Sequence, residues 1–132
     1  PEEVYRRSDT VIVHTSLFPS TFHLVGAEQF RLMKRTACII NASRGPVIDE
    51  EAMIAALEAG QIAGAGLDVY EQEPPEAKNP LFAMDNVILS PHNAALSEGA
   101  LRAMAMDSAL GITEYMTGKN VTYPVNKEVL NK

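Results

Sequence analysis

Short runs of β-branched and apolar residues alternate along this chain with stretches whose apolar positions recur at helical spacing. Thr10-Val11-Ile12-Val13-His14, Ala37-Cys38-Ile39-Ile40-Asn41, Gly64-Ala65-Gly66-Leu67-Asp68-Val69 and Asn86-Val87-Ile88-Leu89-Ser90 each have the length and composition of a buried strand. Between the first two, the pattern predicts a short helix from Gly26-Ala27-Glu28 to Lys34, with Phe30 and Met33 inward. Between the second and third, Asp49-Glu50-Glu51 opens a helix, because an Asx cap and two carboxylates suit its positive end. Met53, Ile54 and Leu57 form its apolar stripe and Gly60 ends it. Ser97 caps a long helix over Glu98 to Thr117, with Leu101, Met104, Ala105, Ser108, Ile112, Tyr115 and Met116 along one face and Gly118 beyond. Val4 to Ser8 reads as the end of a helix, and Val121 to Lys132 has no periodicity. Strands separated by helices imply crossover connections, hence an α/β fold with a parallel sheet of about four short strands, flanking helices and cover on both faces.

Composition narrows the function classes more than the fold. With 46% apolar and 21% charged residues among 132, the chain is an ordinary globular sequence with a modest core. A net charge of −6 argues against nucleic acid or an anionic membrane as partner, and no apolar run is long enough to span a bilayer. The single cysteine, Cys38, lies in an apolar run and reads as a buried structural thiol, so a cytoplasmic compartment is expected. Three scattered histidines and one cysteine give no metal-ligand spacing. The chain opens on Pro1-Glu2-Glu3 and enters a strand almost at once, which suggests a piece of something longer.

The candidate chemistry sits at strand ends, where open α/β sheets place ligand contacts. Arg44 follows the second strand; its planar fork suits a carboxylate and its charge does not titrate away, although taken alone it is equally a surface arginine. Gly45 beside it permits a tight turn or a close backbone approach. Asp68 closes the apolar third strand, where a charge has to find a partner. Glu71, Glu73 and Glu76 follow in a proline-rich loop, and loop carboxylates such as Glu71 and Glu76 are ordinarily solvated. His92, between Pro91 and Asn93, is the best acid–base candidate, since imidazole titrates nearest neutrality. His14 ends the first strand on the same edge, and His23 lies in a polar loop with a structural role expected.

These segments together resemble the C-terminal part of the D-isomer-specific 2-hydroxyacid dehydrogenases. The resemblance is carried by Met33-Lys34, by Ile40 through Asp49, by Gly64 through Pro74 and by Asn86 through His92, and it covers roughly residues 8 to 116. It implies the second half of a Rossmann-type NAD-binding domain, with NAD (or NADP) as cofactor and a small 2-keto or 2-hydroxy acid as substrate. On that resemblance Arg44 binds the substrate carboxylate and keto oxygen, His92 is the acid–base and Glu73 is its paired carboxylate. Asp68 contacts the nicotinamide carboxamide, and Ala42, Ser43, Arg44, His92, Asn93, Ala94 and Ala95 line the cofactor.

Departures from the family pattern are Asn93-Ala94-Ala95 after the histidine and Ser16 where a proline is usual. Glu73 is not the glutamine of formate dehydrogenases. The sequence contains no GxGxxG, nor the acidic residue about 20 positions beyond it that selects the ribose. The expected organisation is therefore residues 1–118 as the C-terminal half of a cofactor domain with its closing helix, and 119–132 as a tail packing near an absent N-terminal domain. The resemblance also implies a homodimer, and the isolated chain is expected to be inactive, since cofactor affinity rests largely on the phosphate-binding turn. An NAD-sensing transcriptional corepressor of the same fold and an inactive stand-alone remnant are the competing functions.

Overall fold

A computed structural model of the chain describes residues 2–129. The chain divides into two compact units, residues 1–94 and 95–132.

In the first unit, α1 (Glu2–Arg7) leads into β1 (Thr10–Val13), followed by α2 (Ala27–Leu32), β2 (Cys38–Asn41), α3 (Glu50–Glu58), β3 (Gly64–Leu67) and β4 (Val87–Leu89). Short 3-10 turns at Gly45–Val47 and Pro80–Ala83 precede α3 and β4. The strands pair in parallel in the order β1-β2-β3-β4. Each is a residue or two shorter than its apolar run, and at the ends of β1, β3 and β4 the last residues leave the ladder to become loops. The register still runs out to them: Asp68 N–H donates to Asn41 O at 2.9 Å and Ser90 N–H to Leu67 O at 2.9 Å.

Register decides which side chains form the core. Val11, Ile39, Ala65 and Val87 lie in one cross-strand row and Val13, Asn41, Leu67 and Leu89 in another on the same face. Those rows pack with Val25, Phe30, Met33, Ile48, Met53, Leu57 and Ile62 into one core, to which Tyr5 of α1 adds its ring. The row Ile12, Ile40, Gly66 and Ile88 faces the other way, and Ile12 and Ile88 are 65% and 80% exposed. Within residues 2–94 the sheet is therefore covered on one face, not two. The reason is strand order: crossovers of one hand that advance steadily in one direction put every helix on the same side, and two-sided cover requires the order to reverse.

The start of α3 matches its sequence signal, with the Asp49 carboxylate accepting from Ala52 N–H at 2.9 Å. In the second unit α4 (Glu98–Met116) is capped by Ser97, whose hydroxyl accepts from Ala100 N–H at 3.2 Å. None of its side chains is buried, and the apolar stripe is exposed. The segment after Gly118 is tied to this helix: Glu114 accepts from Thr122 N–H at 2.8 Å and from Thr122 Oγ at 2.6 Å. These bonds hold the Glu114 carboxyl below its ordinary value. Among the described residues, no helix is long and apolar enough to cross a membrane.

Candidate active site

The loop after β2 is shaped by a side chain that the sequence analysis passed over. Asn41 is 1% exposed; its Oδ1 accepts from Ser43 N–H at 3.0 Å and Ser43 Oγ at 2.9 Å, while its Nδ2 donates to Arg44 O at 3.0 Å. This Asx turn orders Ala42, Ser43 and Arg44. The Asn-x-Ser spacing was the available signal. Arg44 is exposed and donates from Nη1 to Ser43 O at 2.7 Å. With His14, Thr15, Ser16 and Leu17 from the end of β1, Ala42, Ser43 and Arg44 line an open cleft of about 360 Å³.

Gly45 next seats this loop on the one after β3. A Cβ built there would lie 1.8 Å from Tyr70 O and 2.6 Å from Glu71 N, so only glycine allows the two backbones to meet. Tyr70 in turn links the other strand ends. It is buried, its N–H donates to Glu73 Oε1 at 3.1 Å, and its hydroxyl donates to Ser90 O at 3.1 Å. Burial, together with the charges of Asp68, Glu50 and Glu73, pushes the phenol up from its ordinary value.

Asp68, 6% exposed, finds the partners its position demanded. Oδ1 accepts from Ser90 Oγ and from Asn93 N–H at 2.8 Å, and Oδ2 from Ala94 N–H at 2.8 Å. Burial works to raise this carboxyl, but the bonds from Ser90, Ala94 and Asn93 and the nearby His92 charge outweigh it and hold it below the ordinary carboxylate value. The carboxylate thus gathers the turn that presents His92.

His92 itself has φ 53°, the left-handed region that side chains rarely adopt, and the surrounding bonds hold it there. Its Nδ1 lies 2.8 Å from Glu73 Oε2. An ionised carboxylate only accepts, so Nδ1 carries a proton and Nε2 is left for chemistry. Among the described residues Nε2 has no hydrogen-bond partner. For Glu73, burial acts upward, but the bonds from His92 and Tyr70 N–H and the charges of His92 and Arg44 hold its carboxyl below the ordinary value. An ionised acceptor behind a half-exposed imidazole, with a guanidinium close enough to act on that acceptor, can bind an anionic substrate and pass a proton to it.

The structure thus brings Asp68, Glu73 and His92 together, with Arg44 alongside and Ala42 and Ser43 on its cleft. Asn93 and Ala94 enter through backbone N–H groups, while Ala95 opens the second unit. His14 lines the cleft. Glu71 departs from expectation: it is not a solvated loop carboxylate but binds His23 at 2.8 Å, separate from the His92 pair. Among the described residues, no three His, Cys, Asp or Glu side chains are grouped to hold a metal ion.

Comparison with known proteins bears on the same segment. The family model for the D-isomer specific 2-hydroxyacid dehydrogenase, NAD binding domain, matches residues 1–94. Glyoxylate reductase from Thermofilum pendens is 44% identical over 129 residues, 98% of this chain and 38% of that protein. The crystal structure of D-lactate dehydrogenase with NAD+ from Lactobacillus jensenii superposes with TM-score 0.86 at 34% identity, over 95% of this chain and 42% of that one. A D-isomer specific 2-hydroxyacid dehydrogenase from Xanthobacter autotrophicus, solved with NADPH and MES, gives TM-score 0.77 at 39% identity over 97% of this chain and 52% of that one. The chain spans about two fifths of the length of the curated relatives it matches.

Proposed function

Because the chain belongs to the D-isomer-specific 2-hydroxyacid dehydrogenase family through its NAD-binding domain, we propose that it supplies the catalytic edge of an enzyme interconverting a small 2-keto acid and its D-2-hydroxy acid. The observation that carries this is the Glu73–His92 pair at 2.8 Å, with Arg44 acting on the same carboxylate. The cleft between the ends of β1 and β2 is polar and of a size for part of a dinucleotide, so Ala42, Ser43 and the backbone around Asn93 and Ala94 fit a nicotinamide cofactor, NAD or NADP. When bound, that cofactor supplies or takes the hydride.

The chain's own residues have three tasks. Arg44 binds the substrate carboxylate and draws electron density toward the keto oxygen. In reduction, His92 gives the proton on Nε2 to the carbonyl oxygen as the carbonyl carbon gains the hydride, leaving a neutral ring that is still protonated on Nδ1. In oxidation, the neutral ring takes the hydroxyl proton at the same atom. Glu73 stays ionised throughout, fixes the tautomer and offsets the ring's positive charge. Asp68 keeps the His92 turn in place.

The test is NADH or NADPH oxidation by the full-length protein with glyoxylate, pyruvate and larger 2-keto acids. Turnover on the order of 1 per second is expected, and His92→Asn lowers kcat by about 10²–10⁴-fold with KM little changed. A His92→Asn protein that turns over at the wild-type rate removes the acid–base assignment. Absence of turnover with every keto acid removes the enzyme itself.

A further inference from the structure

A second polar cluster lies on the loop that carries Glu73, and it centres on His23. This residue, like His92, has a left-handed backbone, φ 50°. Three contacts hold it: its N–H donates to Pro46 O at 2.9 Å, its ring stacks on Phe22 with centroids 3.9 Å apart, and its Nε2–H donates to Glu71 Oε1 at 2.8 Å. The other ring nitrogen is 3.9 Å from Asp49 Oδ2. Glu71 is held further by a reciprocal exchange with the first residue of α3. Its Oε2 accepts from Glu50 N–H at 3.1 Å, and its own N–H donates to Glu50 Oε2 at 3.0 Å. Asn79 completes the set by donating to Glu50 Oε1 at 2.7 Å.

These bonds lie outside the proton-transfer site, yet they act on the segment that builds it. Glu71 is flanked by Tyr70, whose N–H binds Glu73, and lies two residues before Glu73 itself. Pro46, which His23 also binds, follows Arg44-Gly45. One residue therefore joins three segments: its backbone N–H holds the loop after β2, and its ring lies between the start of α3 and the loop after β3. The His23 side chain is 34% exposed, so core packing does not account for its place between two carboxylates.

We propose that His23 is a positioning residue for the acid–base pair: by clamping Glu71 it fixes the loop geometry that aims the Glu73 carboxylate at His92. The proposal rests on the reading of Glu73 and His92 given above and assigns their alignment to a residue 48 positions away from its partner in sequence.

The experiment uses the full-length protein, labelled with 15N and 13C, and reads two quantities by NMR. In His23→Ala, amide exchange at Tyr70 and Glu71 accelerates about tenfold while that of Ile39 and Ile40 does not. The Glu73 carboxyl midpoint, followed through its side-chain carbon, rises by about half a pH unit as its bond to His92 loosens. His23→Gln, which can still donate to Glu71, restores both. A purely structural histidine would lower stability across the sheet and leave the Glu73 titration where it was. Uniform acceleration of exchange, or an unchanged Glu73 midpoint, overturns the proposal. If His23→Ala does not fold, His23→Phe keeps the stacking on Phe22 and carries the same two readouts. Neither readout involves turnover, so failure here and failure of the dehydrogenase reading are distinguished.

Discussion

Replacing Gly45 by alanine tests the joint on which the site is assembled. The added Cβ would sit 1.8 Å from Tyr70 O, 2.0 Å from Tyr70 C and 2.6 Å from Glu71 N, all backbone atoms that cannot rotate away. Restoring ordinary contact, from 3.4 Å upward, requires the two loops to part by roughly 1.6 Å. Overpacking against adjustable side chains costs about 1–3 kcal/mol, so a backbone collision belongs at or above the top of that range. At about 4 °C per kcal/mol for a domain of this size, Tm falls by roughly 12 °C or more. The same displacement moves Arg44 away from Glu73, and a shift of about 1 Å at a reacting centre costs on the order of 10²-fold in kcat/KM. Gly66→Ala is the control, because its Cβ would meet Ile40 Cγ1 at 3.6 Å, an ordinary contact. Thermal melts followed by circular dichroism, with keto-acid turnover in the full-length protein, give both numbers. Equal melting temperatures for the two variants would refute the claim that backbone contact at Gly45 sets the site.

Two further outcomes follow from buried polar side chains. Asp68 has its carboxyl lowered in the fold, so its contribution to stability is present above the unfolded value and lost as pH falls through the folded one. Asp68→Asn should therefore melt well below wild type near pH 6, with the gap narrowing as melts are taken toward about pH 2.5; a gap independent of pH would contradict this. Asn41→Ala strips three hydrogen bonds from the loop after β2. It should cost about 2–3 kcal/mol in urea unfolding and raise KM for keto acids more than it lowers kcat.

How much of this could be seen in the sequence depended on distance along the chain. The four strands, the Asp49 cap and the Ser97 cap are local, and each appeared close to where its pattern lay. Asp68 was recognisable as a charge needing partners, because it closes an apolar strand. Two of those partners are backbone N–H groups, which leave no trace in residue identity. One-sided cover of the sheet within residues 2–94 depends on strand order, to which alternation of strands and helices is blind. The His23–Glu71 bond joins a loop histidine to a loop carboxylate across 48 positions, with no periodicity linking them. Asn41 was missed for another reason: it reads as the last polar residue of a strand until its three bonds are seen.

The way Asp68 holds the His92 turn has a bearing on variation. It binds residues 93 and 94 through their backbone N–H groups alone, and both side chains point away from any role in that grip, being exposed. Any residue with an N–H can occupy either position and keep the turn; proline, which lacks one, cannot. The unusual Asn93-Ala94 pair is thus compatible with an unaltered His92 geometry. Substitution at these positions can change what the turn offers a ligand while the Asp68 grip and the His92–Glu73 contact stay as they are, so the two properties can vary independently at neighbouring residues.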